Sequence, residues 1–325
     1  MEMFTLADLE VAKARVGALV PPTAFYAWPL LAQRTGAQVW VKHENHTPIG
    51  AFKVRGGIVY LDALRRTPAR LNGVVTATRG NHGQSIALAA ASVGLPCTIF
   101  VPRGNSREKN AAMCAFGAEL NIAGADFDES REHAARFATE RGYHQVPSFH
   151  ADLVKGVATY ALEMFTARPD LHSVYVPIGM GSGICGLITV RDLLGLDTEI
   201  IGVVAEQAPA VALSFDAGHP IPTNSANTFA DGLACRVPNE EAVGIIRRGA
   251  ARIVPVNEDE IAAAMRAFWE DTHNVAEGAG AATLAALLKE RDRMQGRRVG
   301  LVLSGGNIDR SMLTEVLSGR TPAAT

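Results

Sequence analysis

The chain has 325 residues, 48% hydrophobic and 20% charged, with a formal net charge of −2. Such a chain can bury one large core or split into two lobes, and its balance supplies no basic field for nucleic acid or an anionic membrane. No apolar run approaches the roughly 18 residues that cross a bilayer, and the start from Met1 to Asp8 lacks a basic and apolar leader pattern, so a cytoplasmic location is expected.

In chain order, Val39–Val41 is the first β-rich run, followed by the segment His43 to Gly57. There Lys53 sits between Ala51-Phe52 and Val54, just ahead of the pair Gly56-Gly57. Most lysines are solvated surface charges and need no such apolar frame. A lysine inside one has a lowered pKa and can serve as an amine nucleophile or base. The run Gly73–Ala77 then leads through Thr78, Arg79, Gly80, Asn81, His82, Gly83 and Gln84 into a helical pattern from His82 to Val93. This loop can offer backbone donors and an amide to a carboxylate or a ring oxygen; the plainer reading is a polar turn. Cys97–Val101 and Glu119–Ile122 read as strands, with helical patterns over Glu108–Phe116 and Glu129–Glu140.

Ser173–Ile178 reads as a strand that runs into Gly179-Met180-Gly181-Ser182-Gly183-Ile184-Cys185-Gly186 and a helix. Glycines in such a turn let backbone N–H groups converge on an anion at the helix N-terminus. The same residues form a G-x-G-x-x-G at Gly181, Gly183 and Gly186, with Glu206 just beyond the strand Glu199–Ala205. That spacing keeps open an NAD(P)-dependent oxidoreductase, though it leaves Lys53 without a task. After the strand Arg252–Val256 and the helical run Asp259–Thr272, Glu277 opens another helix, where a carboxylate offsets the helix dipole. The strand Val299–Leu303 delivers Ser304 to its carboxyl end, where α/β folds place ligands; a glycine-rich turn closing the sheet is the alternative. The last ten residues read as frayed. Cys97, Cys114, Cys185 and Cys235 form no C-x-x-C pair and read as small buried hydrophobes in a reducing compartment.

Strands alternating with helices imply βαβ units and mostly parallel sheets. Eight strands exceed what one simple doubly wound sheet usually holds. The expected fold is therefore α/β: two lobes of mostly parallel twisted sheets flanked by helices, with a ligand cleft between them. The small lobe is placed at 55–148, and the large lobe at 1–54 together with 149–325.

Taken in order, Gly50-Ala-Phe-Lys53-Val-Arg-Gly56, Gly80-Asn-His-Gly-Gln84, the loop Gly179 to Gly183, Thr228-Phe-Ala-Asp-Gly-Leu233, Glu277-Gly-Ala-Gly280 and Ser304-Gly-Gly-Asn307 carry a resemblance. Each is modestly specific; the ordered set is far more so, and it runs from about residue 20 to 315. The chain resembles the fold-type II (tryptophan-synthase-β-like) pyridoxal-phosphate enzymes, and among them the serine/threonine dehydratases. The resemblance implies pyridoxal 5′-phosphate as cofactor and a homodimer; departures from it leave no metal expected. The implied reaction is loss of water from an L-β-hydroxy-α-amino acid (threonine, serine or a bulkier analogue such as 3-phenylserine) to give a 2-oxo acid and ammonia. By the same resemblance Lys53 would anchor the cofactor and move the Cα proton, Phe52 would pack on its ring, and Asn81 would bond its ring hydroxyl. Gly179, Met180, Gly181, Ser182 and Gly183 would hold its phosphate, and Ser304 would meet its ring nitrogen. Thr78, Arg79, Gly80, Asn81 and His82 would grip the substrate carboxylate.

Departures from the family pattern matter too. Racemases of the family carry a serine where this chain has Arg79, so racemase activity is the lesser alternative. Glu206 matches a family metal ligand, but the expected second carboxylate is Ala212. The segments Pro22–Trp28 and Phe149–Thr159 differ from the family pattern and are expected to reshape the side-chain pocket, toward aryl groups among others. The length leaves no room for the regulatory domain of biosynthetic threonine deaminases, which implies a catabolic role.

Overall fold

A computed structural model describes residues 3–68 and 71–324. The chain begins with α1 (Leu6–Gly17), β1 (Phe25–Ala27), α2 (Pro29–Thr35), β2 (Gln38–His43) and α3 (Lys53–Arg65). A compact series follows: β3 (Val74–Ala77), α4 (Asn81–Ser92), β4 (Cys97–Val101), α5 (Arg107–Ala115), β5 (Glu119–Ile122), α6 (Phe127–Arg141) and β6 (His144–Gln145). Next come α7 (Ala151–Ala167), β7 (Ser173–Pro177), α8 (Ser182–Leu193), β8 (Glu199–Ala205), α9 (Ala210–Ala217) and α10 (Glu240–Gly249). The chain closes with β9 (Ala250–Val256), α11 (Glu258–Thr272), α12 (Gly278–Lys289), β10 (Arg298–Leu303) and α13 (Arg310–Leu317).

The strands form two sheets, β5-β4-β3-β6 and β1-β2-β10-β7-β8-β9. Only β1 runs antiparallel to its neighbour; the other pairings are parallel. The α/β class and the two mostly parallel sheets agree with the sequence reading. Its eight strands lacked β1 and β6, which have three and two residues and too little alternation to signal themselves. Central strands such as β3 and β4 are buried at every position, as expected of sheets covered on both faces.

Local chemistry sets the helix ends. Capping boxes open α1 (Thr5 with Asp8) and α11 (Asn257 with Glu260), and left-handed glycines end α2, α6 and α9 at Gly36, Gly142 and Gly218. Two expectations fail. Cys114 is exposed, because α5 turns that face outward, while Cys97, Cys185 and Cys235 are buried as expected. The tail is not loose: Val316 and Pro322 are buried and Thr321 donates to Asp259, with Thr325 outside the described residues.

A buried ionic cluster fixes the start of α3. Arg55, fully buried, donates through Nε and Nη2 to Glu44 at 2.8 and 2.9 Å, and through Nη1 and Nη2 to Glu163 at 2.7 and 3.0 Å. Lys42 also pairs with Glu163, and Thr23 donates to Glu44 at 2.6 Å. Buried charges persist only when paired and hydrogen-bonded, so this cluster locks β2, α3 and α7 together.

Candidate active site

Four strand ends from the two sheets converge. β2 leads through residues 44–52 to Lys53, β3 to Thr78, β7 to Gly179, and β10 to Ser304. This is the carboxyl-end crevice in which open α/β sheets bind ligands. The lysine segment is clipped to the β10 end: Phe52 N donates to Ser304 O at 3.0 Å, Gly306 N donates to Gly50 O at 3.0 Å, and Ala51 bridges to Gly305. Gly50 turns at φ +68°, and a Cβ there would lie 2.7 Å from Asn307 Oδ1, so a side chain is excluded twice over.

Asn81 is held from both sides. Its Nδ2 donates to Glu277 Oε1 at 2.8 Å, and its Oδ1 accepts from Asn307 Nδ2 at 2.8 Å. Asn307 Nδ2 also donates to Ile49 O at 2.7 Å, so its amide cannot turn without losing a partner. Asn81 therefore keeps one N–H free. Thr78 Oγ1 accepts from Gly80 N at 3.0 Å, which fixes the turn ahead of α4. The sequence reading took Glu277 as a helix-dipole charge. The structure corrects this: Glu277 is 8% exposed, faces inward and joins Asn81. The inward turn follows from Gly305, whose bare Cα leaves room for the carboxylate; a Cβ there would lie 2.5 Å from Oε1.

The titrating groups are pushed toward one another. Burial lowers Lys53 to about 8, partly opposed by Glu277. Burial raises Glu277 to about 7 against the pull of Lys109 and Asn81. His82 is lowered to about 3 by burial and by Lys53, so its ring is neutral, and its buried Nε2 has no partner. Lys53 Nζ lies 4.9 Å from the centroid of Phe52, which in turn meets Tyr160 edge-on. Opposed shifts of this kind in a crevice mark acid–base chemistry.

The glycine loop is a cradle. Gly181 has φ +98° and ends in α8, which has no side-chain cap on its first amides. At Gly179 a Cβ would lie 2.3 Å from Gly232 O; Met180 touches Cys235 at 3.8 Å; Ser182 and Gly183 are buried in the first turn. At Gly183 and Gly186 a Cβ would lie 3.3 Å from Tyr160 and 3.2 Å from Ala158, close contacts within the packing of α8. The apparent dinucleotide fingerprint is thus a tight strand–helix turn whose last two glycines face helix packing.

Between the two sheets lies a cleft of about 140 Å³, which Arg79, Lys109, Phe229, Asp231, Glu277 and Asn307 help to line. Lys109 donates to Asp231 at 2.8 Å, and Arg79 Nε stands 3.8 Å from the same carboxylate. Lys53, Ser304 and residues 179–183 do not line this cleft, and neither do residues 22–28 and 149–159, expected to reshape the pocket. Trp28 instead packs in the core and donates to His43 at 3.0 Å, while Phe149 and the first turns of α7 are buried against other helices. Asn307 and Asp231 stood in quoted motifs without a role; Lys109 carried no signal in the sequence.

An aldehyde cofactor with an aromatic ring and a phosphate suits these residues. There is a lysine whose amine is readily neutral, a neutral imidazole with an unpaired buried nitrogen, and an uncapped helix start behind glycines that no Cβ could replace. Residues 17–305 match the family described as pyridoxal-phosphate dependent enzyme. The L-threonine ammonia-lyase of Thermotoga maritima is 34% identical over 97% of this chain and 79% of its own length. The L-threo-3-hydroxyaspartate ammonia-lyase of Saccharomyces cerevisiae is 31% identical over 99% of this chain and 98% of its own. Among solved structures, a pyridoxal 5′-phosphate-dependent aspartate racemase superimposes with a TM-score of 0.90, at 29% identity over 96% of this chain and 98% of that one.

Proposed function

This chain belongs to the pyridoxal-phosphate dependent enzymes, and we propose that it is a hydroxy-amino-acid ammonia-lyase, removing water from an L-β-hydroxy-α-amino acid to give a 2-oxo acid and ammonia. The observation that carries this reading is Lys53, lowered to about 8 beside Glu277 raised to about 7, at the meeting of four strand ends. Relatives that cover nearly the whole chain and act on threonine or hydroxyaspartate support it.

When bound, pyridoxal phosphate supplies an aldehyde that condenses with amines and an electron-withdrawing ring that weakens the bonds at Cα. The protein's own part follows from its residues. Lys53 would anchor the cofactor, because burial lowers its pKa to about 8 and leaves about a tenth of the amine neutral at pH 7, far more than in a free lysine. Once free of the cofactor, the same amine would be placed to take the Cα proton. Phe52 would pack on the ring, and the free N–H of Asn81, fixed by Asn307, would donate to the ring oxygen. Gly179, Met180, Gly181, Ser182 and Gly183 would hold the phosphate with backbone amides. Ser304 would offer the ring nitrogen a neutral hydroxyl, which does not enforce ring protonation as a carboxylate would. Thr78, Gly80, Asn81 and His82 would grip the substrate's α-carboxylate at the start of α4, with Arg79 beside them at the cleft. The Cβ hydroxyl would leave as water once protonated, a proton that the cofactor's phosphate would supply when bound, and a weakly polarised ring would suit that prompt departure.

The sheet of β3–β6 belongs to the small lobe, which we place at 55–148; the large lobe comprises 1–54 and 149–325. A cytoplasmic location fits four free cysteines, and a homodimer is what the family resemblance implies; among the described residues no helix is long and apolar enough to cross a membrane. The racemase alternative draws on the aspartate racemase fold, but Arg79 stands where a hydroxyl would protonate the second face, and a guanidinium does not give up a proton. The test is release of 2-oxo acid and ammonia by the holoenzyme from L-serine, L-threonine, L-threo-3-hydroxyaspartate and 3-phenylserine. Ammonia from at least one is expected; none from any would end this reading, and D-amino acid without ammonia would replace it with the racemase.

A further inference from the structure

One cation of the cleft lacks a close hydrogen-bonded partner. Five titratable side chains line it: Arg79, Lys109, Asp231, Glu277 and Asp309. Lys109 and Asp231 form a close pair at 2.8 Å. Asp309 receives the Ser106 hydroxyl and stands at the start of α13, where a carboxylate is favoured. Glu277 accepts from Asn81 and is raised to about 7, so near neutral pH it carries only part of a charge. That leaves Arg79. Its side chain is 38% exposed, its Nε is buried without a hydrogen-bond partner, and its only charged neighbour among the described residues is Asp231, at 3.8 Å and already engaged by Lys109. With Nε buried and unpartnered and no protein hydrogen bond on the rest of the fork, this guanidinium can take a carboxylate.

The substrate's α-carboxylate already has a seat in the reading above. The first amides of α4, at Asn81 and His82, have no side-chain cap, and Thr78 closes the turn before them. Arg79 precedes these amides and lines the cleft with Lys109 and Asp231, across from Phe229 and Gly232.

We propose that Arg79 is a specificity-determining residue that binds a second carboxylate, on the substrate's β-carbon side, so that the preferred class is an L-β-hydroxy-α-amino dicarboxylate. The inference rests on the ammonia-lyase reading and narrows it. A five-donor fork takes a planar carboxylate in two parallel bonds, which a hydroxyl, methyl or phenyl group cannot replace. Asp231 stands 3.8 Å from Arg79 Nε but is hydrogen-bonded by Lys109 at 2.8 Å, so it leaves the fork's remaining donors free.

The test compares wild type, Arg79→Gln and Arg79→Lys as holoenzymes on L-threo-3-hydroxyaspartate, L-threonine and L-serine. Wild type is expected to favour the dicarboxylate in kcat/KM. Arg79→Gln should lose about a hundredfold on it, mostly in KM, and less than about threefold on the other two, as for one charged bidentate contact. Arg79→Lys should recover part of the loss. An equal loss on all three substrates would assign Arg79 to the α-carboxylate and overturn the proposal; so would no loss on any. Absence of ammonia from every substrate with wild type would instead be failure of the ammonia-lyase reading. A second readout does not need turnover. L-aspartate and L-alanine lack a β-hydroxyl, and their binding can be followed by the cofactor's absorption. Arg79→Gln should weaken L-aspartate about a hundredfold and leave L-alanine nearly unchanged; parallel weakening of both would also overturn the proposal.

Discussion

Lys53 and Arg55 are two residues apart at the start of α3, yet their surroundings obey opposite rules. Around Arg55, Glu44, Glu163, Lys42, Thr23 and Thr159 close a network in which each nitrogen of the buried guanidinium has an acceptor. Around Lys53 the accounts stay open: His82 Nε2 and Arg79 Nε are buried without partners, Lys53 is lowered to about 8 and Glu277 raised to about 7. A buried polar group left unsatisfied costs about 1–3 kcal/mol, a cost that a bound ligand can offset; Asn121 Nδ2 and Glu258 Oε1 are also buried without partners, so the gap marks a site only together with the shifted Lys53 and Glu277. The closed cluster is scaffold, and the open one is the proposed site. One helix start serves both, and the rigidity of the first keeps the reactive amine of the second in place.

The comparison breaks most visibly at Lys53. Lys53→Ala removes both the anchor for the cofactor and the base, so kcat for ammonia release should fall by about four orders of magnitude or more. The apoprotein's melting temperature should not fall, because no closed network loses a member. A variant that keeps near-wild-type ammonia release would show that the open cluster is not the site.

Arg55→Leu should do the reverse. It leaves Glu44 and Glu163 buried without their main partner, which costs about 3–5 kcal/mol, read as a lower urea midpoint in the apoprotein. A loss under about 1 kcal/mol would mean that the closed cluster is not structural in the sense argued here.

The pH dependence sharpens the same contrast. Burial opposes ionisation of Glu163, but hydrogen bonds and charge from Arg55 and then Lys42 outweigh it, and its pKa lies below the ordinary 4.5. A carboxylate whose folded pKa is depressed stabilises the fold above its unfolded pKa, and that stability is lost as pH falls through the folded value. Melting temperature should therefore drop below pH about 4.5, and Glu163→Gln should flatten that limb while lowering stability at neutral pH. An acid limb of unchanged steepness in the variant would remove Glu163 from the account.

The sequence made some of this contrast visible and hid the rest. Lys53 declared itself by its apolar neighbours, and the glycine loop by a density of glycines that packing alone does not require. Both are local signals. Arg55 sat in a quoted motif, yet its partners Glu44 and Glu163 lie 11 and 108 residues away, and nothing in a linear reading marks those carboxylates as buried. Glu277 looked like a helix-start charge because it is one; its inward turn depends on Gly305 and Asn81, 196 residues distant. Lys109 repeats the lesson: it lies on an otherwise exposed helix, and only the approach of the 229–232 turn gives it Asp231. The short strands β1 and β6 escaped for a different reason, since two or three residues carry no period.

The smallest effect is expected at Ser304. It is 3% exposed at the end of β10, and its backbone, not its hydroxyl, ties the lysine segment in place through Phe52 N at 3.0 Å. Ser304→Ala keeps that clip and deletes only the hydroxyl. In the proposed role it loses one hydrogen bond to the ring nitrogen, about 0.5–1.5 kcal/mol, or roughly a two- to twelvefold effect. Most of the cofactor's hold rests on Lys53 and on the cradle of Gly179 to Gly183, so retention through dialysis should be nearly wild type. The rate should fall further than retention does, because a hydrogen bond to the ring nitrogen acts on electron withdrawal as well as on binding. Activity and absorption measured on the same dialysed sample separate the two. Full loss of the cofactor with the glycine loop intact would contradict this division. It would mean that Ser304 stands with the closed cluster rather than the open one.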